Sequence, residues 1–266
     1  MTDPSDPVWL IGCGNMAGAM LRRWVASGMD PHRFTVVTRT PAIVPDGVRA
    51  LHALPPGETP AIVMIGVKPQ QLNTVAPMLS EVRPAILLSI LAGVEEAALA
   101  ARFRADAIVR AMPNLPVAIG KGVTALHTGS KDPAVRVAVE ALARPLGLVE
   151  WIADARHFDA VTALAGSGPG FTYRWIDALA QAGAALGLPR EQALRLALAT
   201  VEGSAMLAAD VDSPPAVLAD RVASPGGSTR KGLDVLDRDG ALVALVTETL
   251  AAAERRNGEM AAAARG

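Results

Sequence analysis

Two glycine-rich segments carry the residue types that bind anions. Gly12-Cys13-Gly14-Asn15-Met16-Ala17 follows a short apolar run near the start, and Ser224-Pro225-Gly226-Gly227-Ser228-Thr229 sets paired glycines between hydroxyl side chains far downstream. In the first, Gly12 allows a tight turn and Gly14 lets a pyrophosphate approach the backbone. Ala17 fills the third fingerprint position, with Gly18 behind it for close packing. The N–H groups at the start of the helix that follows then face the phosphates, and the helix dipole adds to the attraction. The second segment is a nest of backbone N–H groups suited to a carboxylate. It is equally good turn chemistry, with Thr229 as a reasonable N-cap for a helix through Leu236. The pair points to a nucleotide held by one segment and a small acid held by the other.

Further candidates sit where strands should end. A ribose with a free 2′-hydroxyl usually meets Asp or Glu after the second strand, but here Val36-Val37 leads into Thr38-Arg39-Thr40 with no acid before Asp46. Arg39, unless it is an ordinary surface arginine, can pair bidentately with a 2′-phosphate, while Thr38 and Thr40 donate hydroxyl hydrogen bonds. NADPH is therefore expected ahead of NADH. Val67-Lys68-Pro69-Gln70 closes another apolar run, which places Lys68 and Gln70 in the crevice beyond the strand ends, within reach of the nicotinamide ribose. Ala111-Met112-Pro113-Asn114 ends a strand at the same rim, where Pro and Asn serve equally as a plain turn. Cys13 has no histidine near it in sequence and is read as a small packing residue.

The elements that must position these groups fall into two regions. Apolar runs at Val8–Ile11, Phe34–Val37, Ala61–Val67, Ala85–Leu91, Ala107–Arg110 and Val123–Leu126 alternate with helix-like stretches. That rhythm predicts βαβ units in a mainly parallel, doubly wound sheet. Residues 132–145 fit a helix with Asp132 as N-cap and Pro133 in first position, and Leu148–Ile152 fits a last strand. From about Asp154 the spacing becomes helical over Phe171–Leu186, Glu191–Ala208, Pro215–Val222 and Ala241–Ala264. The expected organisation is thus an α/β Rossmann-type domain over 1–155 and an all-α domain over 156–266. The helical half shows more apolar faces than one small bundle can hide, so a homodimer built through it is expected.

Composition excludes several classes. Of 266 residues 51% are hydrophobic, and 25 basic residues nearly cancel 26 acidic ones without a basic cluster, which argues against nucleic acid as a partner. A single cysteine excludes an internal disulfide and a cysteine-rich metal site, and no metal is expected. The acidic, polar opening Met1 to Pro7 is unlike a signal peptide. The longest apolar runs fall short of the roughly 18–20 residues that span a bilayer, so a cytoplasmic protein away from membranes is expected. His32, His52, His127 and His157 are scattered, and no Ser/His/Asp set or carboxylate pair stands out.

Taken in order, the Gly12 loop, Val67-Lys68-Pro69-Gln70, Met112-Pro113-Asn114, Ala163-Leu164-Ala165-Gly166-Ser167-Gly168-Pro169 and Ser224 to Thr229 resemble the motifs of pyrroline-5-carboxylate reductases over nearly the whole chain. The resemblance implies a Rossmann domain followed by a helical dimerisation domain, use of NADPH or NADH, and production of L-proline from 1-pyrroline-5-carboxylate. It puts the substrate carboxylate on the N–H groups of Gly227, Ser228 and Thr229, and the Thr229 hydroxyl near the ring nitrogen. It also puts Ser167, Gly168 and Pro169 near the nicotinamide, with Lys68, Met112 and Asn114 lining the cofactor cleft, and it allows rings of dimers. Departures from the family pattern are Leu115 for a usual Thr, Gly170 for Ala and Pro214 for His. Leu115 removes a hydroxyl beside the cleft, and Gly170 weakens a first helical turn by about 0.5–1 kcal/mol relative to Ala. Reducing a cyclic imine needs hydride on carbon and a proton on nitrogen, and such an imine is readily protonated, so positioning is the main task. A β-hydroxyacid dehydrogenase is disfavoured, because no lysine falls in the long helix after Gly168 and Arg174, the nearest cation, cannot deprotonate. A cofactor sensor without turnover would leave the second glycine segment unused.

Overall fold

In the computed structural model, which describes residues 6–39 and 43–265, the apolar runs become strands buried on both faces. Thr40 and the first five residues of the opening segment lie outside the described residues. β1 (Val8–Ile11), β2 (Phe34–Val37), β4 (Ile62–Ile65) and β5 (Ile86–Ser89) are buried at every position, as parallel strands covered by helices must be. Between them β3 (Arg49–Leu51) is a short edge strand with two exposed residues. β6 (Ala107–Pro113), β7 (Gly122–His127) and β8 (Gly147–Trp151) complete an eight-stranded sheet of order β3-β2-β1-β4-β5-β6-β7-β8. Every neighbouring pair is parallel except β6 with β7. The first six strands follow the doubly wound 3-2-1-4-5-6 order, whose switch point lies between β1 and β4.

Alternation along β1 splits the core in two: Val8 and Leu10 join one buried cluster, Trp9 and Ile11 the other. The first cluster is closed by α1 (Asn15–Ala26). Trp24 of α1 is fully buried, stacks on Phe34 with ring centroids 5.3 Å apart, and donates its Nε1–H to Leu142 O at 2.6 Å. Two helices of little more than one turn each, α2 (Leu72–Val75) and α3 (Glu96–Ala100), follow, and then α4 (Pro133–Ala143), to whose last turn Leu142 belongs. As expected, Asp132 caps α4 by accepting from Ala134 N at 2.8 Å, with Pro133 in first position. β7 and β8 start so close together that a Cβ on Gly147 (φ +133°) would fall 2.1 Å from Gly122 O, which only glycine permits. After α5 (Phe158–Val161) comes a single π turn over 162–166. β6 runs past Arg110, where the expected strand stopped, because Ala111, Met112 and Pro113 pair antiparallel with Leu126, Ala125 and Thr124 of β7; the buried Arg110 guanidinium lies 4.1 Å from the Phe158 ring centroid.

By contacts the chain forms two units, one reaching to Ser167 and including the residues from Ala252 on, the other spanning Gly168–Ala251. In the first unit, Asn257 donates to Asp159 O at 3.3 Å, and Gly93 passes so near the final helix that a Cβ there would lie 3.0 Å from Ala261 N. The second unit contains α6 (Gly168–Ala185), α7 (Arg190–Asp210), α8 (Pro215–Arg221), α9 (Ser228–Leu236) and the start of α10 (Ala241–Arg265). α6 and α7 pair through small residues: a Cβ on Gly183 would sit 3.3 Å from Ala193 Cβ, and the buried side chains here are Ala180, Ala193 and Ala197. In the single chain this unit leaves Trp175, Leu196, Met206, Leu207, Val243 and Leu245 exposed, more apolar surface than a free-standing bundle would carry. Among the described residues no helix is long and apolar enough to cross a membrane, and no metal-ligating cluster forms.

Trp24 anchors α1 on the sheet, so Trp24→Ala is expected to destabilise the α/β unit by about 3–5 kcal/mol. Trp24→Phe, which keeps the stack but strands the Leu142 carbonyl, should remove about 1–3 kcal/mol. Urea unfolding followed by circular dichroism reads both, and a Trp24→Ala midpoint equal to wild type would contradict the anchoring role.

Candidate nucleotide cleft and anion-binding helix start

The switch point is built on a backbone crossing. Gly12 (φ +87°) donates to Val37 O at 2.8 Å, and Gly66 donates to Ile11 O at 2.9 Å, which draws the ends of β1, β2 and β4 together. A Cβ on Gly12 would meet Val67 Cγ1 at 2.8 Å and Gly66 O at 3.1 Å, while one on Gly66 would meet Ala17 Cβ at 3.0 Å. Glycine at both points lets α1 start directly over the sheet edge. Gly14 is the N-cap of α1 and makes no side-chain cap; its O accepts the first helical bond from Gly18 N at 2.8 Å. The N–H groups of Asn15, Met16 and Ala17 therefore have no intrahelical acceptor. Nothing lies within 4 Å of a Cβ placed on Gly14, so the space in front of the loop is open.

A cleft of about 610 Å³ opens there, lined by Gly12 to Ala17, by Thr38 and Arg39 beyond β2, by His52 after β3, and by Val67, Lys68 and Gln71 after β4. Among the described residues no carboxylate lines it, and the charged side chains there are Arg39 and Lys68. This field suits a phosphorylated ligand. Thr38 N donates to Leu51 O at 2.9 Å and His52 Nδ1 lies 3.1 Å from Thr38 O, so β3 braces the segment from which Arg39 projects. Pro69 opens a 3-10 turn, Pro69–Gln71, in which Gln71 Oε1 accepts from Lys68 N at 3.1 Å. The turn corrects one expectation: it rotates Gln70 to the exposed side, and Gln71 lines the cleft instead. Burial raises the Cys13 thiol above its ordinary pKa, partly offset by the nearby Arg22, so Cys13 stays a neutral packing group.

Asn114 does not line that cleft. It is buried and both ends of its amide bond to backbone: Nδ2 donates to Ala165 O at 2.9 Å, and Oδ1 accepts from Val123 N at 2.8 Å. It clamps the π turn to the β6–β7 junction, and Ser167 N closes that turn on Thr162 O at 3.0 Å. Met112 is likewise buried, packed with Ala125 and Phe158. Leu115 is half exposed next to this clamp. Gly168 and Pro169 open α6 in the second unit.

In that unit, Gly227 N donates to Ser224 O at 3.0 Å, closing a turn with Pro225 and Gly226 (φ +73°) at its corners, as the Pro-Gly pair of a type II turn requires. Gly227 is then the N-cap of α9, without a side-chain cap, and its O accepts from Lys231 N at 3.2 Å. Two expectations are thereby corrected. Thr229 is not the cap, because the turn delivers the chain into the helix two residues earlier. The N–H of Gly227 is already engaged, and the donors left without an intrahelical acceptor are those of Ser228, Thr229 and Arg230. Arg230 is held by Asp220 of α8 at 2.6 Å, which sets the direction of the helix start.

Residues 155–260 match the family model described as pyrroline-5-carboxylate reductase dimerisation, and residues 7–93 match one described as NADP oxidoreductase coenzyme F420-dependent. The chain is 34% identical to the pyrroline-5-carboxylate reductase of Synechocystis over 94% of its own length and 97% of the relative's. It is 35% identical to that of Arabidopsis thaliana, with 94% of each chain covered. The solved reductase of Coxiella burnetii superposes with a TM-score of 0.85 at 30% identity, covering 96% of this chain and 98% of that one.

Arg39→Ala is expected to weaken NADPH binding roughly 10- to 100-fold, the worth of a charge-assisted pair, and to leave NADH nearly unchanged. Fluorescence titration of both nucleotides checks it, and an equal loss for the two would remove Arg39 as a reader of the 2′ position.

Proposed function

The chain belongs to the pyrroline-5-carboxylate reductase family, and on that premise we propose that its two glycine-bounded helix starts divide one reaction between them. The protein reduces 1-pyrroline-5-carboxylate to L-proline with NADPH, the last step of proline formation. The observation that carries this is the match to reductases over 94% of the chain, together with a cleft lined by Arg39 and Lys68 and a helix start without a side-chain cap.

NADPH, when bound, supplies the hydride that goes to the imine carbon. On this reading the N–H groups of Asn15 and Met16, with Gly12 and Gly14 clearing the approach, hold the pyrophosphate. Arg39 takes the 2′-phosphate and Lys68, set by the turn through Pro69, the ribose. Ser167, Gly168 and Pro169 are assigned to the nicotinamide end on the family resemblance, and Asn114 supports them by holding the π turn rather than by contact. The substrate carboxylate lies on the N–H groups at the start of α9, with Ser224, Gly226 and Gly227 shaping the turn and Ser228, Thr229 and Arg230 donating. Helix dipole and oriented N–H groups both favour the anion there. Thr229 Oγ1 orients or donates to the ring nitrogen. The imine arrives protonated or is easily protonated, so no strong general acid is needed, and the barrier falls by holding carbon and hydride donor in register.

NADH is accepted less well, because among the described residues the cleft has cations and no carboxylate for a free 2′-hydroxyl. The helical unit is the dimerisation unit of the family. We assign its exposed apolar side chains to a homodimer, and rings of such dimers to the complete assembly. A cytoplasmic location agrees with a single cysteine kept as a thiol.

The test is the initial rate of NADPH oxidation with 1-pyrroline-5-carboxylate and with its six-membered homologue 1-piperideine-6-carboxylate. The five-membered imine should be clearly preferred, and Thr229→Ala should lower kcat roughly 10-fold or more while leaving NADPH affinity within about twofold. Absence of turnover with either imine would overturn the proposal, and an unchanged kcat in Thr229→Ala would remove Thr229 from the mechanism.

A further inference from the structure

His52 leaves β3 and turns onto the wall of the cleft beside Thr38 and Arg39. Its Nδ1 lies 3.1 Å from Thr38 O. A carbonyl oxygen only accepts, so Nδ1 carries the hydrogen and donates. That contact fixes the tautomer. Nε2, on the other edge of the ring, is a bare acceptor while the imidazole is neutral and becomes a donor only when the ring takes a second proton.

From this geometry we infer that His52 is a second specificity residue beside Arg39, which reads the 2′ position of the cofactor's adenosine through the proton state of Nε2. The inference rests on the reading that NADPH or NADH occupies the Gly12 cleft. A 2′-hydroxyl donates to neutral Nε2 with no change of charge. A 2′-phosphate offers only acceptors, so a neutral ring would set lone pair against anionic oxygen. The ring therefore takes one proton from solvent, and Nε2–H donates a charge-assisted hydrogen bond. No other bond is made or broken in that exchange. Imidazole is the side chain able to change charge in this way near neutral pH.

The surroundings act in the same direction. Among the described residues the charged groups sharing the cleft wall are Arg39 and Lys68, with no carboxylate beside them. On β3 itself Arg49 is held by Glu58. A phosphate standing beside the ring favours its charged form. NADPH binding is coupled to proton uptake at His52, and NADH binding is not. His52 also positions Arg39, since the bond to Thr38 O and the pairing of Thr38 N with Leu51 O brace the same segment from both sides.

His52→Asn separates the two roles, because the Asn amide can still donate to Thr38 O but has nothing in place of Nε2. Calorimetric titration of NADPH and NADH near neutral pH, in buffers of different ionisation enthalpy, counts the protons taken up on binding. Wild type should take up more protons with NADPH than His52→Asn does, by a sizeable fraction of one, and the two should agree with NADH. His52→Asn should bind NADPH roughly tenfold more weakly and NADH no more than about fivefold more weakly. Equal proton counts with NADPH in both proteins would overturn the inference while leaving the cofactor reading intact. Binding of neither nucleotide to wild type would overturn the cofactor reading and this inference together.

Discussion

The nucleotide half of this molecule depends on how closely two stretches of bare backbone pass at the switch point of the sheet. Gly12 and Gly66 cross with so little room that a Cβ on either would strike Val67, the opposing carbonyl or Ala17. That approach seats the first turn of α1 over the ends of β1 and β4, and the seat decides where the N–H groups of Asn15 and Met16 point. Trp24, stacked on Phe34 and bonded to Leu142 O, holds the far end of the same helix. The proposed phosphate site is therefore a consequence of packing, with its electrostatics supplied by the backbone N–H groups and, among the described residues, by a lining without carboxylates.

Helix caps show the same logic in both units. α4 begins on Asp132, whose side chain satisfies the first turn internally. α1 and α9 begin on glycines, Gly14 and Gly227, that offer no side-chain acceptor. Their first-turn donors are left to water or to a ligand. Leaving them open forgoes about 0.5–2 kcal/mol of capping at each helix relative to a good N-cap side chain, though glycine itself loses less. A bound pyrophosphate or carboxylate restores those bonds. Stability of the two helix starts and occupancy of the two proposed sites would thus be linked by mass action.

Much of this was legible in the sequence because it follows from short-range rules. β1, β2, β4 and β5 are continuous apolar runs, which parallel strands covered on both faces require, and the Asp132-Pro133 start of α4 is local chemistry. What could not be read depended on pairing or on one-residue geometry. β3 has three residues, two of them exposed, and becomes a strand only by joining β2; with it His52 reaches the cleft, although nothing in its own neighbourhood marks it. The 3-10 turn at Pro69 exchanges Gln70 for Gln71, and closure of the Ser224–Gly227 turn moves the α9 cap from Thr229 to Gly227. Asn114 lies at the expected strand end, but partners distant in sequence at Ala165 and Val123 occupy its amide. Strand-like alternation stops after β8, whereas the compact unit extends to Ser167, because α5 and the π turn pack back on Met112 and Ala125.

On the proposed function, the hydride of NADPH goes to the imine carbon of 1-pyrroline-5-carboxylate. Mass and NMR analysis of proline formed from NADPH carrying deuterium at the transferable position tests this most directly. The expected product is L-proline with a single deuterium on the ring carbon that was double-bonded to nitrogen, one equivalent for each NADPH consumed. Cofactor oxidised without label in proline, or label at any other carbon, would contradict it.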